Sequence, residues 1–76
     1  MKSATITLKY AENVKELVSI VNKYAYDIDL RSGRFVIDAK SILGIFSLDL
    51  SKPITIEIHS DKCEPLLNEL KPFLTK

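Results

Sequence analysis

The spacing of the apolar residues changes repeatedly along the chain, and this change restricts the possible folds more than any other feature of the sequence. In four short stretches, apolar residues alternate with polar ones, which predicts half-buried β-strands. The stretches are residues 2–9, residues 26–31, a segment around Phe35 and Ile37, and a segment containing Ile54, Ile56 and Ile58. The second and third are separated by Ser32-Gly33, where glycine can supply the positive φ of a tight hairpin turn.

Helical spacing replaces the alternation in two longer stretches. Residues 13–24 are predicted to form a helix whose apolar face consists of Val14, Leu17, Val18, Val21 and Tyr24 or Ala25. The last helix is predicted to open at Asp61, which has a capping-box spacing to Glu64. Its apolar face consists of Cys63, Leu66, Leu67, Leu70 and Phe73 or Leu74. Pro72 is predicted to end or bend it near Lys71.

A third helix is predicted directly after Ser41, in the segment Asp38-Ala39-Lys40-Ser41-Ile42-Leu43-Gly44-Ile45-Phe46-Ser47-Leu48. The serine oxygen can accept from free N–H groups of the first turn, and Pro53 disfavours helix at the residue before it. So short a helix cannot bury all its apolar side chains. We therefore expect part of this surface to face solvent or a partner.

The predicted element order is βαββαβα, in a single domain over residues 1–76. This is an α+β fold, in which a four-stranded antiparallel sheet has all its helices on one face. The opposite face is predicted to be open to water, and it would carry Thr5, Thr7, Asp27, Asp29, Thr55 and Glu57.

Composition gives little indication of a catalytic or nucleic-acid-binding role. The formal net charge is +1, so no bulk attraction to nucleic acid or to a membrane surface is expected. The single cysteine, Cys63, excludes an internal disulfide and is predicted to be a small buried hydrophobe. No catalytic, cofactor or metal motif is recognised, and no signal peptide or membrane span is predicted, which favours a cytoplasmic protein.

The block from Asn22 to Ser60 resembles HPr, the histidine-containing phosphocarrier of the bacterial sugar phosphotransferase system. The segment Lys40-Ser41-Ile42-Leu43-Gly44-Ile45-Phe46-Ser47-Leu48 is similar to the regulatory-serine stretch of that family, and Asn22-Lys23-Tyr24 is similar to the run that closes its first helix. The resemblance implies an open-faced βαββαβα sandwich. It also implies that the protein is not an enzyme in its own right.

The resemblance does not extend to the phosphocarrier motif, which is His-Ala-Arg-Pro in the family. Counting back without a gap places this motif on Tyr10-Ala11-Glu12-Asn13, where only Ala11 matches. Imidazole can accept a phosphoryl group because it is partly unprotonated near neutral pH, whereas a phenol is mostly protonated there. A carboxylate at position 12 would repel phosphoryl oxygens that a guanidinium would bind. Phosphocarrier activity is therefore not expected.

Ser41 matches the serine that a dedicated kinase phosphorylates in HPr of many Gram-positive bacteria. The catabolite-repression HPr-like variants also lack the histidine, keep this serine and bind a transcription regulator, so the resemblance implies a regulatory role. It places partner docking on Lys40, Ile42, Leu43 and Phe46. The plainer alternative is that Ser41 only caps the helix and the apolar residues only pack it down. Open sheet edges and an apolar helix also predict a weak homodimer, including one formed by strand pairing.

Two further residues have competing interpretations. Tyr10 could contact a ligand, but its position in the alternation favours a residue at the edge of the core. His59 is interpreted as a polar residue of the open sheet face, with no base or orienting partner near it in sequence. A different function also stays open at this point, because a ferredoxin-like ligand-binding or structural domain shares the order βαββαβ.

Overall fold

The computed structural model describes residues 1–74, so the last two residues of the domain predicted over residues 1–76 lie outside the described part. The elements are β1 (Lys2–Ile6), α1 (Ala11–Val21), β2 (Ile28–Ser32), β3 (Phe35–Asp38), α2 (Ile42–Phe46), β4 (Ile54–Ile58) and α3 (Glu64–Leu70), followed by a 3₁₀ turn over Lys71–Phe73. The predicted order βαββαβα is confirmed.

The four strands form one antiparallel sheet in the order β1-β4-β2-β3. Strand β4 is central and pairs with both β1 and β2, so that Ile56 lies opposite Ala4 on one side and Leu30 on the other. The turn between β2 and β3 consists of Gly33 and Arg34, one residue later than predicted. Gly33 has φ +60. Positive φ at the first central residue alone is the pattern of a type II′ turn, which matches the twist of a hairpin.

One face of the sheet packs under the helices and forms the core. The side chains that are most fully buried come from β1, β2 and β4, the three helices and the connecting segments, and they include Ile6, Leu17, Leu30, Ile45, Ile54, Ile56, Ile58, Leu66 and Leu70. Among residues 1–74 no polar or charged residue is buried. The other face is open, and it carries Thr5, Asp29, Thr55 and Glu57 as predicted, whereas Thr7 and Asp27 lie outside the strands.

Strand β1 ends at Ile6, whereas alternation predicted a strand over residues 2–9. The last pair of β1 with β4 is Ile6 with Ile54. Beyond Ile6 the chain meets the C-terminal segment instead, because the Thr7 N–H donates to the Phe73 carbonyl at 2.8 Å. Leu8 stays fully buried even though it is outside the strand.

Helix α1 is shifted towards the N-terminus relative to the predicted residues 13–24. It buries Val14, Leu17 and Val21, as its apolar spacing predicts. The helix ends at Val21, and Asn22 is its C-cap, with Nδ2 donating to the Val18 carbonyl at 2.8 Å. Tyr24 therefore lies beyond the helix, half-buried.

Helix α3 does not use the capping box predicted at Asp61. Its N-cap is Cys63, which is fully buried, and Asp61 instead accepts from the N-terminal ammonium of Met1 at 3.0 Å. The prediction at Asp61 is wrong because tertiary contact with the start of β1 offers its carboxylate a charged partner. Pro65 lies in the first turn and Pro72 follows the end of the helix, as predicted.

A small polar cluster joins the end of α1 to α3. Glu69 accepts from the Lys23 ammonium at 2.7 Å and from the Tyr24 hydroxyl at 2.5 Å. These two bonds hold the pKa of the Glu69 carboxyl below its ordinary value, and the bond from Lys23 has the larger effect. The hydrogen bond to the carboxylate, with burial adding to it, raises the pKa of Tyr24 to about 12.

Glu69→Gln is predicted to lower the free energy of unfolding at neutral pH, because it removes the charged acceptor shared by Lys23 and Tyr24. A carboxyl with a depressed pKa in the folded state stabilises the fold above its unfolded pKa. That contribution is lost as the pH falls through the folded pKa. The difference between wild type and Glu69→Gln should therefore narrow in acid, as measured by urea unfolding across a pH series.

Glu16→Gln provides the matched control. Glu16 is an exposed carboxylate on α1 that has no hydrogen bond or ion pair among residues 1–74. Its replacement should leave the unfolding curves unchanged at every pH. A constant difference between wild type and Glu69→Gln down to strongly acidic pH would contradict the assignment of the effect to the ionised carboxylate.

Candidate functional site

The first candidate position is the start of α1, onto which the family resemblance maps the phosphocarrier motif. Tyr10 is the N-cap, and its side chain is 69% exposed. Its N–H donates to Asn13 Oδ1 at 3.1 Å, so that Asn13 satisfies the backbone from within the first turn. Ala11 and Glu12 are exposed. The interpretation of Tyr10 as a core-edge residue is wrong, because the strand ends at Ile6 and its alternation does not continue to position 10.

A shallow surface cavity of about 240 Å³ lies beside Tyr10. Its lining combines the start of α1 with the C-terminal segment and consists of Thr7, Lys9, Tyr10, Asn13, Pro72, Phe73 and Leu74. The lining contains one ammonium group, a phenol and an amide, with no imidazole and no guanidinium. The arrangement can accept hydrogen bonds and offer a cation.

The second candidate position is the start of α2, where Ser41 is the N-cap as predicted. Ser41 is exposed, and its Oγ accepts from the Gly44 N–H at 3.3 Å. A Cβ atom at position 44 would lie 3.1 Å from that oxygen, so glycine leaves the serine side chain room at the cap. The hydroxyl is thus exposed, and the one hydrogen bond that it makes within residues 1–74 is long.

The surface of α2 separates into an anchored side and an exposed side. Ile45 is fully buried, and Ile42 is partly buried against the core. Leu43 is 82% exposed and Phe46 is 44% exposed. Two of the three apolar residues predicted to dock a partner are therefore available to solvent, and the third contributes mainly to packing. Together with Ser41, Leu43 and Phe46 form what we call the α2 surface.

Lys40, also predicted to dock a partner, already has internal partners. Its ammonium donates to the Tyr24 carbonyl at 2.8 Å and to the Tyr26 carbonyl at 3.2 Å. Its own N–H donates to Asp38 Oδ1 at 2.9 Å. The half-buried side chain therefore connects the start of α2 to the loop that leads from α1 into β2. This structural role gave no signal in the sequence.

His59, at the end of β4, has a partner that sequence spacing did not reveal. The Nε2 atom of its ring lies 2.8 Å from Asp29 Oδ2, and its backbone N–H donates to the Asp27 carbonyl. Antiparallel pairing of β2 with β4 brings together two residues that are 30 positions apart in the chain. The register of the sheet, which local patterns do not report, creates this carboxylate–imidazole pair. Among residues 1–74 no group of three or more His, Cys, Asp and Glu side chains is arranged to hold a metal ion.

Comparisons with known proteins agree with the fold. Residues 4–76 match the family model PTS-HPr, described as the PTS HPr component phosphorylation site. The fold is similar to the crystal structure of HPr-C-His from Thermoanaerobacter tengcongensis, with a TM-score of 0.77 and 27% identity over 92% of this chain and 86% of that one. It is also similar to the crystal structure of phosphocarrier protein HPr from Bacillus anthracis str. Ames, with a TM-score of 0.72 and 27% identity over 97% and 94% of the two chains.

No curated protein sequence matches the chain. The structural similarity confirms the HPr-type open-faced sandwich and leaves the ferredoxin-like alternative without support. Among residues 1–74, no helix is long and apolar enough to cross a membrane.

Lys40→Met is predicted to lower the free energy of unfolding by about 1.5–3 kcal/mol, because it removes charge-assisted hydrogen bonds to two backbone carbonyls. Urea unfolding measures this difference. Lys52→Met is the control: Lys52 is highly exposed and lies 4.0 Å from Asp49, so its loss should change stability by less than about 0.5 kcal/mol. Equal stability of the two variants would contradict the structural role of Lys40.

Proposed function

This chain belongs to the PTS-HPr family, and on that premise we propose that it acts as a regulatory protein-interaction module that does not itself carry phosphoryl groups. HPr is a phosphocarrier and not an enzyme in itself. We propose that this protein is likewise not an enzyme. In this proposal the protein works as a single cytoplasmic bacterial domain without a cofactor. Its partners are proteins of the phosphotransferase system or transcription regulators.

One observation carries the proposal: the side chain at the start of α1 is that of Tyr10. In the family, the phosphorylated histidine begins the first helix, and α1 begins with Tyr10 as N-cap. A phenol is a poor phosphoryl acceptor at neutral pH, and it replaces an imidazole that would be partly unprotonated. Glu12, exposed in the first turn, adds a negative charge where a cation would be needed.

His59 is badly placed to replace the missing histidine. It lies just after β4, outside α1, and its Nε2 is engaged with Asp29. Its ring nitrogen is therefore held against a carboxylate on the sheet, away from the helix start that the family uses. This position supports the absence of carrier chemistry.

The α2 surface supports the regulatory half of the proposal. An exposed serine lies next to Leu43 and Phe46, whose apolar side chains a protein partner would cover. Phosphorylation of Ser41 would place about two negative charges beside that apolar area and would change which partners can bind there. With a net charge of +1, the protein has no charge excess to favour nucleic acid or a membrane as the partner.

The proposal is tested by intact-mass analysis of the protein after two separate incubations. One contains phosphoenolpyruvate and the general phosphotransferase enzyme, and the other contains ATP and the HPr serine kinase. We expect one phosphate from ATP in the wild type and in Ser47→Ala, and none in Ser41→Ala. Ser47 is the matched control because it is an exposed serine at the other end of the same helix.

An acid-labile phosphate acquired from phosphoenolpyruvate would overturn the loss of carrier function. His59→Gln would then test the acceptor, since a phosphoimidazole is acid-labile whereas a phosphotyrosine is stable in acid. The absence of phosphate in the ATP incubation, or its retention in Ser41→Ala, would overturn the proposed regulatory site.

Docking through the α2 surface predicts that Leu43→Ser slows phosphorylation of Ser41 by the kinase. Burial of a leucine side chain contributes about 1.5–3 kcal/mol, so kcat/KM should fall about tenfold or more. Leu43→Met keeps an apolar side chain at the same exposed position and should retain the wild-type rate. Equal rates for Leu43→Ser and Leu43→Met would contradict docking at this residue.

A further inference from the structure

The outer edge of β3 is unpaired, and it differs in this respect from the other edge of the sheet. Strands β1 and β3 are the two edge strands. The β1 edge is partly covered, because Ile6 forms an isolated bridge with Leu74 and the Thr7 N–H donates to the Phe73 carbonyl. No segment of residues 1–74 pairs with the outer side of β3. This edge can therefore accept another strand.

The hydrogen-bonding groups that β3 presents outward follow from its pairing with β2. The Ala39 N–H donates to the Ile28 carbonyl at 2.9 Å. In an antiparallel pair, hydrogen-bonded positions alternate, so Leu30 with Ile37 and Ser32 with Phe35 are also bonded to each other. The N–H and C=O of Val36 then point away from β2, as does the N–H of Asp38. The free edge thus has a donor–acceptor pair centred on Val36.

We propose that a second copy of this chain binds there, so that two β3 strands pair antiparallel around a two-fold axis at Val36. The two Val36 residues would exchange both backbone hydrogen bonds. The two sheets would join into one of eight strands. This surface accounts for the weak self-association expected of open sheet edges, and it depends on no part of the proposed docking at α2.

The charges along β3 fit this pairing and select a second copy as the partner. With Val36 opposite Val36 of the partner, Arg34 lies opposite Asp38 of the partner, and Asp38 lies opposite Arg34 of the partner. Asp38 lies on the same sheet face as Val36, because side chains two residues apart in a strand share a face, and Arg34 is the turn residue directly before β3. Both residues are exposed, and the Arg34 side chain has no ion pair among residues 1–74. Antiparallel pairing therefore forms two opposite-charge contacts from one strand sequence.

The apolar residues of β3 add to the same interface. On the core-side face, Phe35 would lie opposite Ile37 of the partner. Phe35 is 70% exposed and Val36 is 46% exposed, so pairing would cover apolar area that the monomer leaves in water. Proline, lysine and bulges usually protect an edge strand from pairing with another strand. The four-residue strand Phe35-Val36-Ile37-Asp38 contains none of these.

Charge reversal tests the pairing without disturbing the monomer core. Arg34→Glu alone would place Glu opposite Asp38 of the partner at both contacts, and Asp38→Lys alone would place Lys opposite Arg34 of the partner. Each variant should self-associate about tenfold more weakly than wild type, because two cross-strand attractions become repulsions. An equimolar mixture of the two variants should regain the wild-type affinity, since Glu then faces Lys and Asp faces Arg. Sedimentation equilibrium up to millimolar protein measures the three affinities.

Val36→Pro provides an independent variant. The Val36 N–H points outward, so proline removes no hydrogen bond from the sheet of the monomer but blocks the central pair of the dimer. This variant should keep the wild-type circular dichroism spectrum and lose association.

Asp38→Lys also removes the hydrogen bond that Asp38 accepts from the Lys40 N–H, so the folding of this variant is checked by circular dichroism as well.

The inference would be overturned if the wild type stays monomeric at millimolar concentration. Undiminished association of Arg34→Glu, or of folded Val36→Pro, would also overturn it. So would a mixture of Arg34→Glu with folded Asp38→Lys that associates no better than either variant alone. Association lost in Leu43→Ser but kept in Arg34→Glu would overturn it as well, since the α2 surface would then be the interface. Phosphorylation of Ser41 is measured at micromolar protein concentration, where a weak dimer is dissociated. The proposed regulation at Ser41 and the proposed dimer are therefore tested separately.

Discussion

The pairing of β4 on both of its edges is the constraint on which the rest of the structure depends. Ile54, Ile56 and Ile58 are fully buried, and their strand joins β1, from the start of the chain, to β2. Without β4 the two outer parts of the sheet would have no common ladder. The helices cover the face that these three isoleucines line, so the core and the sheet require the same strand.

The candidate functional positions are placed by connections at the rim of this sheet. The segment after β3 turns at once into α2, and Lys40 holds that turn against the loop between α1 and β2 through two carbonyls. Ile45 then anchors α2 on the core, which leaves Leu43 and Ser41 outside. The exposed serine and the apolar patch are thus presented by a helix that is too short to be stable alone and is held by packing.

Sequence patterns predicted the elements well and their ends less well. The three buried positions of α1 and the cap at Ser41 follow directly from apolar spacing and side-chain chemistry. The errors arose where another segment competed for a residue. The Thr7 N–H donates to the Phe73 carbonyl where alternation had extended β1 past Ile6. The N-terminal ammonium attracted the Asp61 carboxylate that was predicted to cap α3. Boundaries depend on these competing partners, which a periodic pattern does not contain.

The sequence by itself determined the element order and the core face of each strand and helix. These properties depend on the order of side chains along a few turns or strand residues. The tertiary structure alone decided that His59 meets Asp29, that Lys40 bonds two carbonyls, and that β3 has an open edge while the β1 edge is partly covered. Each of these depends on strand register or on packing between segments distant in the chain. Such contacts are selected by the free energy of the whole fold, and no local pattern of residues specifies them.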